Sequence, residues 1–287
     1  MTVLVGVHGI RQQQRGRHQL QGPWSLAVAD GLERASGTAV AVPDLDIAFY
    51  GDLVWPRGGD GHKARQPDLN VLNDFDEDEL DDLESSAREL VTTEELAAAR
   101  DAPASKAYTR TPGPLRWLMA ALERKFGAAA VVLFVGELRQ VRRYLRDHQI
   151  KQDVDARVRK AVADDCRVLI GHSLGSVVAF EYVRQNPDHR LDLLLTLGSP
   201  LGLRMVRDRM AGPSHGSGMS VPANPTRWMN VRDVHDPVAC AGDLATWWPG
   251  VVDQHVNNQG DAHNAERYLS KRPTGQAILE AVPELAL

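Results

Sequence analysis

Residues 167–180 constrain the fold more than any other part of this sequence. They form the pattern of an apolar strand, a Gly-His-Ser-Leu-Gly turn and a helix of small and apolar residues. A serine in such a turn sits on a tight bend, so the Ser173 hydroxyl projects at the carboxyl end of a sheet, facing the positive end of the helix. Gly171 and Gly175 are needed because side chains there would collide with the neighbouring strand and helix. The flanking strand and helix make this common pentapeptide specific.

The rest of the chain alternates between strand-like and helix-like patterns. Apolar runs typical of strands occur at Val3–Val7, Leu45–Gly51, Arg167–Ile170, Leu191–Leu197, Arg227–Val231 and Val251–Val256. Strands separated by helices predict an α/β fold with a mostly parallel sheet and right-handed crossovers. After the first strand, we expect a polar loop over residues 11–22, and then a helix that opens at Pro23 and stops at Gly37.

The alternation is interrupted over residues 52–149, which we interpret as a cap or lid insertion within a single domain spanning residues 1–287. Residues 56–67 are loop-like, and the acidic run 74–84 predicts a solvated helix or a mobile segment. Two apolar helices are expected at Leu115–Leu122 and Ala128–Tyr144. The apolar run 131–135 favours burial against the main domain, with a substrate-pocket wall or membrane contact as the alternatives.

Composition excludes several classes of protein. The chain has 287 residues, a net charge of −5 and a pI near 6.1, so we expect no nucleic-acid partner. It lacks a stretch of about 20 apolar residues and a basic flank before the first apolar run, so no transmembrane segment or secretory signal is expected. The two cysteines, Cys166 and Cys240, favour a reducing cytoplasm. Histidines and cysteines show no metal-binding spacing, and no glycine-rich phosphate loop occurs, so neither metal nor cofactor is expected.

Ser173 is the candidate nucleophile, and a serine hydroxyl needs a base to take its proton. In this topology, the acid and then the histidine follow the serine along the chain. Asp236 lies in a loop after a later strand and is the preferred acid, with Asp233 as the alternative. His263 follows a polar loop and is the preferred base. His255 is the alternative base, although it falls within the last predicted strand.

Acyl transfer also needs N–H donors for the oxyanion that develops on the substrate. One donor is expected from the backbone of Leu174, directly after the nucleophile. The other is expected from Ile10, because the segment His8-Gly9-Ile10 ends the first strand and Gly9 permits close approach of the backbone. A plain turn role for Gly9 is the alternative. We expect His172 to pack beside the turn rather than to act as the base.

Taken together, these segments resemble the α/β-hydrolase superfamily, in particular lipase-like and esterase-like serine hydrolases. The resembling segments are Val5–Ile10, Gly171–Gly175, Leu197–Leu201, Asn230–Val238 and the region around His263. The resemblance implies a triad of Ser173, Asp236 and His263, an acyl-enzyme intermediate and no cofactor. Because the chain starts at the oxyanion strand, it also implies a minimal sheet of about six strands that lacks the first two strands of the full fold.

The function implied by the resemblance is hydrolysis of a carboxylic ester, with a small-molecule or lipid-like acyl substrate. A peptidase, a thioesterase or an acyltransferase with the same triad is the first alternative, since a fold does not decide the bond that is cleaved. A non-catalytic interaction or signalling module with a hydrolase-like fold is the second alternative.

Overall fold

The structure is a computed structural model, and it describes residues 3–53, 75–101, 113–210 and 225–286. A single sheet holds the six strands of these residues, in the order β2-β1-β3-β4-β5-β6, and every neighbouring pair is parallel. The strands are β1 (Leu4–Val7), β2 (Leu45–Ala48), β3 (Val168–His172), β4 (Leu193–Leu197), β5 (Arg227–Asp233) and β6 (Val251–Val256). The prediction of an α/β fold with a parallel sheet is confirmed.

Helices cover both faces of the sheet. They are α1 (Arg17–Ser36), α2 (Glu77–Leu90), α3 (Thr93–Arg100), α4 (Gly113–Phe126), α5 (Ala128–Arg146), α6 (His148–Ala161), α7 (Leu174–Gln185), α8 (Arg204–Arg209), α9 (Ala265–Leu269) and α10 (Arg272–Ala281). Side chains of β3 alternate between the two faces. Val168 and Ile170 pack on the face covered by α1, α9 and α10. Leu169 points to the opposite core, which contains α2 and α4 to α8. Burial on both faces explains why the central strands are continuously apolar.

The predicted start of the first helix is wrong. The helix begins at Arg17 rather than at Pro23, so part of the expected polar loop is helical. The i, i+4 series Leu20, Trp24 and Val28 is buried, and it runs across the proline. Burial of this stripe outweighs the one backbone hydrogen bond that a proline cannot donate. The predicted stop is confirmed, because Gly37 has φ +77° and its N–H bonds the last turn.

Helices α1 and α10 cross with their backbones in contact. A Cβ added to Gly275 would lie 1.9 Å from the carbonyl oxygen of Gly31. A Cβ added to Gly31 would lie 2.4 Å from the carbonyl oxygen of Leu269, at the end of α9. Glycine at both positions is therefore a packing requirement that joins an early helix to the last two helices.

Helices α2 to α5 lie within the predicted insertion, residues 52–149. The apolar run 131–135 belongs to the same core as β1 and α7, so its burial against the main domain is confirmed. The acidic segment forms α2, which is tied to α5 by ion pairs of 2.7 Å between Arg139 and Glu79 and 3.0 Å between Arg142 and Asp82. The loop-like residues 56–67 lie outside the described residues, and the cap role of the insertion stays a prediction.

Two further findings bear on the class of protein. In the described ranges, no helix combines the length and the apolar character needed to cross a membrane. Cys166 is buried, Cys240 is half-buried, and both are free thiols.

Candidate active site

Ser173 occupies a strained backbone position between β3 and α7. Its φ of 57° and ψ of −128° are rare for a residue with a side chain. The two glycines of the turn make this bend possible. A Cβ at Gly171 would lie 2.5 Å from the Cα of Ser176, and one at Gly175 would lie 2.0 Å from the Val7 carbonyl oxygen. The turn therefore presses α7 against β1 and projects the serine at the carboxyl end of the sheet.

The structure brings Ser173, His263 and Asp236 together at this edge. The Ser173 Oγ lies 2.7 Å from Nε2 of His263, a residue 90 positions later. Nδ1 of the same ring lies 2.9 and 2.8 Å from the two carboxylate oxygens of Asp236. Ser173 and Asp236 are 1% and 0% exposed, so these bonds form away from bulk water. With the Nδ1 proton directed at Asp236, Nε2 is free to accept the serine proton.

Tyr268 in α9 orients Asp236. Its hydroxyl donates to the Asp236 Oδ2 at 2.8 Å, and the Val238 N–H donates to Oδ1 at 2.9 Å. Burial first, and then the charge of Asp236, raise the pKa of Tyr268, so the phenol stays a donor. Gly198, with φ +53°, lets the chain after β4 pass this group, because a Cβ there would lie 2.7 Å from the Asp236 Oδ2. Sequence reasoning missed Tyr268, which has no local pattern to mark it.

The alternative acid and the alternative base lie outside this cluster. Asp233 is fully buried at the end of β5, where it accepts from the backbone N–H groups of His235 and Asn258. It therefore fixes the turn that carries Asp236. His255 lies in β6, as its sequence position indicated, and its Nε2 bonds the Asp243 carboxylate at 2.7 Å. The structure places neither residue on the Ser173 hydroxyl or on the His263 ring.

His172 holds the backbone of the candidate base. Its ring packs on the His263 ring with centroids 4.7 Å apart, and its Nε2–H donates to the His263 carbonyl at 2.9 Å. Burial, followed by the neighbouring His263, lowers the pKa of His172 to about 3, so this ring is neutral. Burial also lowers the pKa of His263, but the charge of Asp236 and its hydrogen bond act against it, and the net pKa is raised. The His263 ring is thus suited to hold a proton taken from serine.

The loop after β1 lies directly against Ser173. A Cβ at Gly9 would lie 2.7 Å from the Cβ of Ser173, which is the close approach that the sequence predicts. His8 sets this loop, since its Nδ1–H donates to the Gly9 carbonyl at 2.7 Å and its Nε2 accepts from the Tyr50 N–H at 3.1 Å. Burial lowers the pKa of His8 to about 4. Ile10 follows and is 8% exposed, beside a small cavity lined by the loop.

The Leu174 N–H, the other predicted oxyanion donor, already has a partner. It donates to Oε1 of Glu137, a residue that is 1% exposed in the middle of α5. Sequence reasoning missed Glu137. Its one signal is that it is the sole acidic residue of a helix whose other charged residues are all arginines.

Neither metal-binding groups nor similar proteins add a further assignment. In the part of the chain that the structure describes, no group of three or more histidine, cysteine or acidic side chains could hold a metal ion. No protein-family model, no curated protein and no solved structure matches this chain. The geometry of the site is therefore what indicates a function.

Proposed function

We propose that this protein is a serine hydrolase of the α/β-hydrolase superfamily that cleaves a carboxylic ester. The observation that carries the proposal is the pair of bonds on one imidazole, 2.7 Å from Nε2 to the Ser173 Oγ and 2.8 Å from Nδ1 to Asp236. A nucleophile, a base and an orienting acid in this order are recognised by their geometry rather than by position in the chain.

In the proposed reaction, the Ser173 Oγ attacks the ester carbonyl while His263 takes the hydroxyl proton. Asp236 holds the tautomer and stabilises the imidazolium. The tetrahedral oxyanion is stabilised by the N–H of Leu174 and the N–H of Ile10. Collapse breaks the bond to the alcohol, which leaves with the proton from His263. Water, deprotonated by His263, then attacks the acyl-enzyme, and the acid departs as the proton returns to Ser173.

The order of the sheet supports membership of this superfamily. The oxyanion loop follows β1, the nucleophile follows β3, the acid follows β5 and the base follows β6, and all four connections leave the carboxyl edge of parallel strands. A small-molecule or lipid-like acyl ester is the proposed substrate class, with residues 52–149 as the cap over it. The triad by itself needs no cofactor.

The test is turnover of p-nitrophenyl esters of graded acyl length by the wild type and by Ser173→Ala. We expect the substitution to lower kcat by about 10⁴-fold or more, since the nucleophile is lost. His255→Ala is the matched control, because it removes a histidine that bonds Asp243 outside the cluster. A fluorophosphonate that labels Ser173 without ester turnover would redirect the substrate toward a peptide, a thioester or an acyl acceptor. Turnover that survives in Ser173→Ala would refute the assignment.

A further inference from the structure

Glu137 places a carboxyl group where the proposed mechanism needs an empty acceptor position. Its Oε1 accepts from the Leu174 N–H, the donor that follows the nucleophile. Its Oε2 is buried and has no hydrogen-bond partner within the described ranges. A substrate oxyanion must lie about 2.7–3.1 Å from this N–H, so the carboxyl oxygen and the oxyanion compete for one donor.

A structural role accounts poorly for this carboxyl group. No ion pair joins Glu137 to a lysine or arginine among the residues that the structure describes. Burying an acid without a cation and with one oxygen unpaired is unfavourable for folding. Burial raises the pKa of Glu137, while the charge of His263 and the hydrogen bond from the Leu174 N–H act against this shift. The group is therefore held at a cost beside the nucleophile.

Glu137 also places its carboxyl group next to the reacting serine. The Ser173 hydroxyl bonds Nε2 of His263 at 2.7 Å, and the carboxyl group bonds the backbone N–H of the following residue. A negative charge next to the developing oxyanion would further oppose the attack.

We propose that Glu137 gates the oxyanion site: its carboxyl group occupies the Leu174 N–H in the resting protein and must leave before an ester carbonyl can bind. This inference rests on the proposed function. The movement that the proposal requires is a change of the Glu137 side-chain torsions. Gln140, three residues later on the same face of α5, lines the small cavity beside Gly9, so this face of the helix borders unfilled space.

The experiment measures the rate at which a fluorophosphonate labels Ser173, together with p-nitrophenyl acetate turnover. The proteins are the wild type, Glu137→Ala, Glu137→Gln and Leu138→Ala. We expect Glu137→Ala to react about 10-fold faster than the wild type or more, which is the effect of freeing one oxyanion donor. Glu137→Gln stays slower than Glu137→Ala, because an amide oxygen still accepts from the Leu174 N–H. Circular dichroism and thermal unfolding verify the fold, and Glu137→Ser replaces Glu137→Ala if the latter fails to fold.

Each other outcome overturns a defined part of the argument. Leu138→Ala truncates a buried neighbour on α5, and acceleration equal to that of Glu137→Ala would assign the effect to helix packing and reject gating. A slower Glu137→Ala with activity retained in Glu137→Gln would make the group a hydrogen-bond donor to the oxyanion, not a gate. Labelling of Ser173 at equal rates in the wild type and Glu137→Ala rejects gating alone. Folded proteins that are all unlabelled would reject the proposed function, and gating with it.

Discussion

Replacing Tyr268 by phenylalanine tests whether α9 positions Asp236, the proposed acid. The substitution removes the hydroxyl that donates to the Asp236 Oδ2 at 2.8 Å and accepts from the Asp233 N–H at 2.9 Å. A hydrogen bond to a charged group contributes about 1.5–3 kcal/mol, and a buried N–H left without a partner costs about 1–3 kcal/mol. Because Asp236 and Asp233, the two partners of this hydroxyl, are fully buried, we expect the free energy of unfolding to fall by about 3 kcal/mol.

The same change should alter the chemistry and not only the stability. A carboxylate that loses a donor interacts more strongly with the imidazole, so the pKa of His263 should rise further and the acidic limb of kcat/KM should move to higher pH. We expect kcat/KM at its pH optimum to fall by about 10-fold, since Asp236, and with it the ring that it orients, is positioned less precisely. Urea unfolding and pH profiles of p-nitrophenyl ester hydrolysis measure the two effects.

Tyr182→Phe is the matched control for this experiment. Its hydroxyl pairs with Nδ1 of His189 at 2.7 Å, away from the cluster, so the variant should lose about 1 kcal/mol of stability and keep its pH profile. If Tyr268→Phe loses stability while kcat/KM and the pH limb stay as in the wild type, Tyr268 has a structural role alone. That result would refute the positioning argument.

Two other predictions follow from the site. The pKa of His263 is raised, and the proposed base must be neutral to act, so kcat/KM should rise with pH through a midpoint above 6.5. Because Glu137 raises the pKa of His263, Glu137→Ala should lower that midpoint. A midpoint that the substitution does not move would contradict this prediction. Gly175→Ala should lower the free energy of unfolding by about 3 kcal/mol or more, because its Cβ would lie 2.0 Å from the Val7 carbonyl oxygen. In the same urea titration Gly260→Ala should be near neutral, because a Cβ there has no neighbouring atom within 4 Å.

Local sequence patterns predicted the parts of the site that lie on single turns. The turn around Ser173 follows from the spacing of its two glycines between a strand and a helix, and the order of acid and base follows from parallel strands that end at one edge. These two arguments led to Asp236 and His263 before any distance was known. The alternatives, Asp233 and His255, could be separated from them only by three-dimensional placement.

The missed features depend on contacts between distant segments. Glu137 meets Leu174 only because α5 packs against the turn. Tyr268 reaches Asp236 only because α9 and β5 belong to one hydrophobic core. Neither contact leaves a periodic trace in the chain. The start of α1 was missed for a different reason. Polar residues and Pro23 interrupt the apolar pattern of its first turns, and the buried i, i+4 series is recognisable only once Leu20 is known to be buried.

The crossing of α1 and α10 has a consequence for how activity is acquired during folding. Gly31 touches the end of α9, the short helix that begins just after His263, so the proposed base is anchored by contacts between residues more than 200 positions apart. The serine turn depends on β1, β3 and α7, and its own long-range contact, between Gly175 and Val7, involves neither α9 nor α10. Recovery of catalysis after denaturation should therefore lag behind recovery of helical structure, and it would report the moment at which the two ends of the fold meet.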